Sequence, residues 1–525
     1  VRRAGQLLTS FALAAGVLLV ALLVARPQSL SEATVDPRVI AALPTPTVEV
    51  PKVIAPVPEA PTPTPTPAPT PSPTPRPSGW VDPKSFGKPW SETVSGVLTF
   101  RGNPTRSYHG EGPVPENPEV RWRYPDRAMC SLSTVGEETK QWCGLGWTGQ
   151  PAVWERDDEL WVAFGAYDGQ VHFINGDDGT ARLPPFRTGD IIKGSVTVDP
   201  DGFPLLYAGS RDNQLRIIAF DGPAPVELWA LDARSISPRR WNDDWDGSPL
   251  VIDDYLFEGG ENSNFHIVKL NRSYGDDGRV AVAPELVAAV PGWDAELTAL
   301  VGSNVSIETS VVISGQTAWF ANSGGLIQGW DLSGLDAGAP PERIFRYWAG
   351  DDIDATMVAD DEGFLYVGVE YERGNERSRE VGQILKLDPG ADDPLVWSVA
   401  DHSRRDAGVW ATPAVHDDVV FASTDTGRLL GIDRETGEIR WEKQLGLPLW
   451  SSQVVIDDTL LQADCFGVIH AYDISDTTVE PPELWQTDVG DGCIEATPVV
   501  WKGRIYVGSR GGRFAMLDEA ATSES

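Results

Sequence analysis

Eight short elements recur along the chain, each leading into an apolar run of strand length. The residues just before them are Thr148, Lys193, Asp246, Glu308, Asp354, Trp410, Trp450 and Glu495. Four carboxylates, one ammonium and two indoles at equivalent places can hold a ligand. Carboxylates that converge with backbone oxygens suit a hard cation such as Ca²⁺, with Asp246, Glu308, Asp354 and Glu495 as the candidate metal ligands. The flat faces of Trp410 and Trp450 suit a planar or sugar-like ligand. Glu261-Asn262-Ser263-Asn264 and Asp351-Asp352 are candidates to join them, and the charged insertion Arg373–Arg379 would overhang the same place. The competing account is that acids at a wet opening need no ligand. This chain puts acids in most of its loops, and Trp often packs sheet edges.

Other chemistries find no template. There is no Gly-x-Ser-x-Gly elbow, no HExxH and no phosphate-cradling GxxxxGK[ST]. The six His (109, 172, 266, 402, 416 and 470) are scattered, which disfavours a His-rich metal site, and no set of residues stands out as catalytic. A formal net charge of -35 argues against nucleic acid and against an anionic membrane surface, because both require basic patches.

The elements that must position these residues are clearest in Ala411–Leu445. Three apolar runs are separated by His416-Asp417-Asp418 and by Thr424-Asp425-Thr426-Gly427, and a fourth follows Arg434-Glu435-Thr436-Gly437. The runs have strand length and the separators have hairpin-turn composition, so the unit reads as antiparallel strands A to D closed by Trp441. The A strands open at Gly149-Gln150-Pro151, Gly194-Ser195-Val196, Gly247-Ser248-Pro249, Thr309-Ser310-Val311, Ala355-Thr356-Met357, Ala411-Thr412-Pro413, Ser451-Ser452-Gln453 and Ala496-Thr497-Pro498. Strand-D aromatics are expected at Trp122, Trp229, Trp348, Trp397, Trp441 and Trp485. The last four are 49, 44 and 44 residues apart, near the spacing of propeller blades. Glu119–Tyr124 looks like a D strand with no partners before it, and Glu495–Leu517 supplies A, B and C with no D after them. The chain therefore predicts an all-β, eight-bladed β-propeller closed by an N-terminal strand, or seven blades if one of the first four starts is misread. D-to-A and B-to-C connections emerge on one face, which gathers the candidate residues at the mouth of the central channel.

The segment GRLLGIDRETGEIRW resembles the repeat of the pyrroloquinoline-quinone (PQQ) propeller superfamily. The match is strong at Gly427, Asp433, Thr436, Gly437 and Trp441, partial at Gly467, Asp473 and Trp485, and extends over about residues 119–518. The resemblance implies structural roles: the Trp docks on the neighbouring blade and the Gly permits the turn. This repeat occurs in quinoprotein alcohol dehydrogenases and in a noncatalytic lipoprotein that scaffolds outer-membrane barrel assembly. The enzymes carry an adjacent Cys-Cys pair beside the quinone, a Trp floor, and Glu, Asn and Asp around Ca²⁺. This chain has no Cys-Cys and no CxxCH haem signature, so bound PQQ is the minority expectation.

Four cysteines outside the cytoplasm imply disulfides. Cys465 in a B-to-C turn and Cys493 before the next blade's A strand lie on one face, predicting Cys465–Cys493. Cys130–Cys143 then closes a loop at the entry to the first blade. Before the propeller, Arg2 and Arg3 precede an apolar run at 7–25 that is about 28 Å long as a helix. No small-x-small cleavage pattern follows it, so an uncleaved anchor is expected, with residues 1–6 cytoplasmic and the propeller outside. Residues 26–79 read as a disordered Pro/Thr-rich linker, 80–118 as an irregular lead-in, 119–518 as the propeller and 519–525 as a tail. The expected object is a single-pass cell-membrane protein that binds or scaffolds an envelope protein, or a small-molecule or glycan ligand. The alternatives are a PQQ- and calcium-dependent dehydrogenase of alcohols or sugars, and an envelope sensor or polysaccharide-binding head.

Overall fold

The computed structural model describes residues 79–521 except 136–137, 147–148, 447 and 491. The expected anchor at 7–25, almost all of the linker, and Thr148 lie outside the described residues. Among those described, no helix is long and apolar enough to cross a membrane.

The unit read from the sequence forms as expected. Ala414–His416, Val419–Ser423, Arg428–Asp433 and Ile439–Gln444 pair in order as an antiparallel sheet. Asp417 takes the A-to-B turn at φ 46°, and Gly437 takes the C-to-D turn at φ 76°. Seven more such sheets make eight blades. The ring closes where Pro118–Tyr124 pairs antiparallel with Phe514–Glu519, supplying strand D of blade 8 from the other end of the chain.

In every blade the C–D ladder carries a register shift, and one strand-D residue lies opposite strand C beside it. In blade 6 that residue is Trp441, opposite Gly431, where a Cβ would come within 2.2 Å of the indole. Each Trp also reaches the next blade. Trp397 lies against Gly437 and donates to the Arg434 carbonyl at 3.1 Å. Trp122 does the same across the closure, against Gly179 and the Asp177 carbonyl at 3.1 Å. Trp348 is not in this set, which corrects the sequence reading. Phe345 holds the position in blade 4, opposite Gly329, and the space above Gly329 is filled from strand B by Trp319. Trp348 sits three residues further on and donates to the Gly324 carbonyl at 3.0 Å.

The lead-in also departs from expectation, because it fills the channel. Gly96–Val97 adds an antiparallel strand inside blade 1, and Gly110–Glu111 adds a parallel one inside blade 8. Between them the chain crosses the centre. The Leu98 carbonyl accepts from Val198 N (2.8 Å), Pro104 from Ile313 N (2.9 Å) and Thr105 from Ala359 N (3.2 Å), while His109 Nδ1 accepts from Val455 N (3.0 Å). Arg106 donates to the carbonyls of Val311, Ser248 and Phe100 at 2.7, 3.1 and 2.8 Å. Arg101 donates to Pro413 at 3.0 Å and to Gln453. The inner edges of eight A strands leave carbonyls and amides without a next strand, and this plug satisfies them around the ring. Two guanidinium forks suit inward-facing carbonyls because their donors are fixed in a plane. Burial lowers both to about 9, so they stay charged at neutral pH.

Candidate functional site

The turn before each A strand delivers its residue to the mouth, directly above the plug. Three of the expected residues converge with a fourth. Lys193 Nζ is ion-paired with Asp246, 3.7 Å from Glu261 Oε1 and 4.0 Å from Glu308 Oε2. Carboxylate oxygens of Asp246, Glu261 and Glu308 lie within 4.8 Å of one another around it. Burial alone would push the ammonium down, but Asp246, Glu261 and Glu308 hold it well above its ordinary value. Glu308 Oε1 also accepts from Ser306 Oγ at 2.9 Å and from Ser323 Oγ at 3.3 Å, which fixes its rotamer.

A second group stands next to the first. Asp354 meets Asp352 and Glu370, with ligand oxygens again within 4.8 Å. Asp352 Oδ1, Asp354 Oδ1 and Glu370 Oε1 are buried without a hydrogen-bond partner. Burial first and neighbouring carboxylates second raise all three acids well above the ordinary range. The cation in reach is Arg373, 3.6 Å from Asp352 and 3.7 Å from Asp351, so the charged insertion does overhang the mouth. Asp351 anchors that insertion by accepting the amides of Arg373 and Gly374 at 2.9 and 2.8 Å.

Glu495, Asn262 and the two Trp stand apart from both groups. Glu495 is held by Arg510, whose Nη1 lies 3.0 Å from each of its oxygens, and Arg510 in turn covers Tyr167 and Trp142. The Asn262 side chain is used up, donating to the Ala233 carbonyl at 3.0 Å and accepting from Asn264 N of its own turn at 3.1 Å. Trp410 and Trp450 stack on each other at 5.0 Å, and Trp450 Nε1 donates to Asp425 at 2.5 Å. The four expected metal ligands are therefore divided. Asp246 and Glu308 sit in the first group, Asp354 in the second, and Glu495 belongs to an ion pair. Asp352 and Glu370 complete the second group. Asp351-Asp352 stands out in the sequence as an acidic pair, whereas Glu370 carries no such signal. Both disulfides, Cys130–Cys143 and Cys465–Cys493, form on this face.

Residues 380–519 match the family model described as outer membrane protein assembly factor BamB. Over those residues the repeat is similar to that of the PQQ propellers. Among solved structures, a quinohemoprotein alcohol dehydrogenase from Pseudomonas putida HK5 aligns with TM-score 0.53 and 11% identity over 82% of each chain. The quinohemoprotein alcohol dehydrogenase of Comamonas testosteroni gives 0.51 and 13%, also over 82% of each. BamB from Moraxella catarrhalis gives 0.49 and 16% over 75% of this chain and all of that one. At such identities the likeness is one of fold. No curated protein matches the chain in sequence.

The quinone and calcium of PQQ-repeat enzymes can be tested against these residues. The first acidic group does not fit a divalent ion, because the Lys193 ammonium stands at the centre of its oxygens. Among the described residues, Trp410 and Trp450 cover one another, so this pair does not present an open face for a flat cofactor, and the plug occupies the channel below. The second group, all oxygen and short of cations, does fit a hard divalent ion.

Proposed function

We propose that this protein is a membrane-tethered, extracytoplasmic propeller that binds or scaffolds an envelope protein through its acidic mouth face. The observation that carries this reading is the composition of that face. Recessed carboxylates on this face stand beside exposed apolar side chains, with Trp241 and Leu300 on the loops that lead to Asp246 and Glu308, Leu132 on the hairpin entering blade 1 and Phe466 in the B-to-C turn of blade 7. Leu132, Trp241, Leu300 and Phe466 are 71%, 56%, 54% and 71% exposed, whereas most large apolar residues of the chain are buried. An apolar, aromatic rim around a charged centre is the composition of a protein-recognition surface. The plug and the two disulfides keep that surface rigid, which reduces the ordering cost of binding. The assembly-factor description of the matching family model agrees with a scaffolding role. In the same reading the apolar run at 7–25 is a single membrane span and the proline tract a spacer. A divalent cation such as Ca²⁺, held by Asp352, Asp354 and Glu370, would neutralise the mouth without further side-chain movement.

The test is cross-linking in native membranes followed by identification of the captured protein, using the intact chain and a Trp241→Ser/Phe466→Ser variant. A specific envelope protein captured by the wild type and lost from the variant supports the proposal. Capture that does not depend on the rim, or no specific partner, refutes it.

A further inference from the structure

The face opposite the mouth carries a cleft of about 630 Å³ where the plug leaves the ring between blades 6 and 7. That is within the usual ~300–1,000 Å³ of small-molecule sites. One wall is the plug itself, Ser107 to Gly112, and the other is the pair of A-to-B turns at His416-Asp417 and Ile456-Asp457.

His109 lines this cleft and is 8% exposed. Its Nδ1 accepts the Val455 amide at 3.0 Å, so in the neutral ring the proton sits on Nε2. Burial, with Arg101 and His416 nearby, holds the imidazole well below its ordinary pKa and therefore neutral. Nε2–H is buried and has no acceptor among the described residues. A buried donor left unmade costs about 1–3 kcal/mol, so an acceptor arriving there is rewarded. The tautomer also excludes His109 as a metal ligand while the Val455 bond stands, because the free nitrogen has no lone pair to give.

The rest of the lining narrows the ligand. Glu111, Asp417 and Asp457 stand exposed at the rim, and neither Lys nor Arg lines the cleft, so an anion is repelled. Tyr108, Phe86 and Pro89 offer flat apolar surface. A ligand must then present an acceptor to the deep N–H, donors to the rim carboxylates and an apolar face to the rings. Hydroxyls do both of the first two, and pyranose rings supply the third.

We infer that this cleft binds an uncharged polyhydroxylated ligand, a short neutral glycan, with His109 Nε2–H donating to a sugar oxygen and Asp417 and Asp457 accepting from its hydroxyls. The site is separate from the mouth and stands or falls without it.

The test is saturation-transfer NMR and calorimetry on the full chain with cellotriose, maltotriose and chitotriose, and with trilysine as the cationic probe. Two variants are informative. His109→Asn keeps an acceptor for the Val455 amide, while its own N–H is too short to reach the place of the imidazole Nε2–H. Asp457→Asn is an exposed change that leaves the fold intact. Asp354→Asn at the mouth is the control. The expected result is binding of at least one trisaccharide with Kd below about 10 mM, weakened ~10-fold or more by Asp457→Asn and His109→Asn and unchanged by Asp354→Asn. No binding of any trisaccharide, binding indifferent to Asp457→Asn, or binding of trilysine in place of the sugars would each overturn the assignment.

Discussion

The two ends of the central channel are built from the same A strands and treated in opposite ways. At the plugged end, Arg101 and Arg106 are fully buried charges, and their terminal nitrogens donate to backbone carbonyls of blades 3, 4, 6 and 7 as well as to the plug itself. At the mouth, a few ångströms along the same strands, carboxylate oxygens of Asp352, Asp354 and Glu370 are buried and left without partners. A propeller must satisfy the inner edges of its sheets to fold, so the first arrangement is structural. Nothing in folding requires the second, since buried unpaired carboxylates weaken the folded state. The contrast separates residues that make the ring from residues that leave it ready for something else.

The sharpest way to break this comparison is at the plug. Arg106→Met removes donors from four carbonyl contacts and strands them in the interior, so a loss of about 3–5 kcal/mol is expected in urea unfolding, enough to prevent folding in a marginal chain. A loss under about 1 kcal/mol would mean the plug is not part of the folded core. Next in size is the closure. Trp122→Ala removes an indole that bridges blades 8 and 1, and about 3 kcal/mol should go with it, again by urea unfolding. An effect no larger than that of an exposed-site change would place little weight on the seam.

At the mouth the signs reverse. Asp352→Asn relieves like-charge repulsion and should be neutral or stabilising by about 1 kcal/mol, read as a raised Tm. Millimolar Ca²⁺ should raise the Tm of the wild type, and Glu370→Gln should abolish that shift. In Lys193→Met the first group loses its internal cation, so a second Ca²⁺ should bind, giving a larger shift than wild type. The pH dependence follows from the raised carboxylates. Asp244 is moved from 3.8 to about 7, by burial first and Asp246 second, so the folded state holds its proton more tightly than the unfolded chain. Stability should therefore decline as pH rises from about 4 to 7. Asp232 and Asp433, lowered to about 2 by Arg234 and Arg440, act in the opposite sense below pH 4. Both are partly exposed, and solvent screening keeps their effect small. Calorimetric scans should show the Tm highest in mild acid, and a Tm that climbs steadily to pH 8 would contradict the burial-raised carboxylates of the mouth.

Much of the ring was legible in the sequence because hairpin chemistry is local. Asp417, Gly427 and Gly437 announce their turns, and an orphan strand at each end announces the closure. The disulfides followed from the same topology. What was hidden depends on neighbours distant in the chain. Residues 98–109 show no strand periodicity because their hydrogen bonds go to seven different blades. Trp348 matched the spacing of a docking Trp, but Trp319 on strand B already covers Gly329. At the site, the residue before each A strand, read together with the turns at 261–264 and 351–352, pointed to Lys193, Asp246, Glu261, Glu308, Asp352 and Asp354, which the structure gathers into the two groups. That reading did not reach Glu370, and it included Asn262, whose amide is spent on the Ala233 carbonyl and on the Asn264 N–H of its own turn.

Hydrogen exchange followed by mass spectrometry on the full chain tests the contrast between the two ends most directly. The account predicts that amides of residues 98–109 exchange only with global unfolding, as slowly as strands Val419–Ser423 and Leu205–Gly209. Exchange of 98–109 within seconds, like a frayed extension, would leave the channel open from end to end and contradict the distinction between a sealed floor and a ligand-ready mouth.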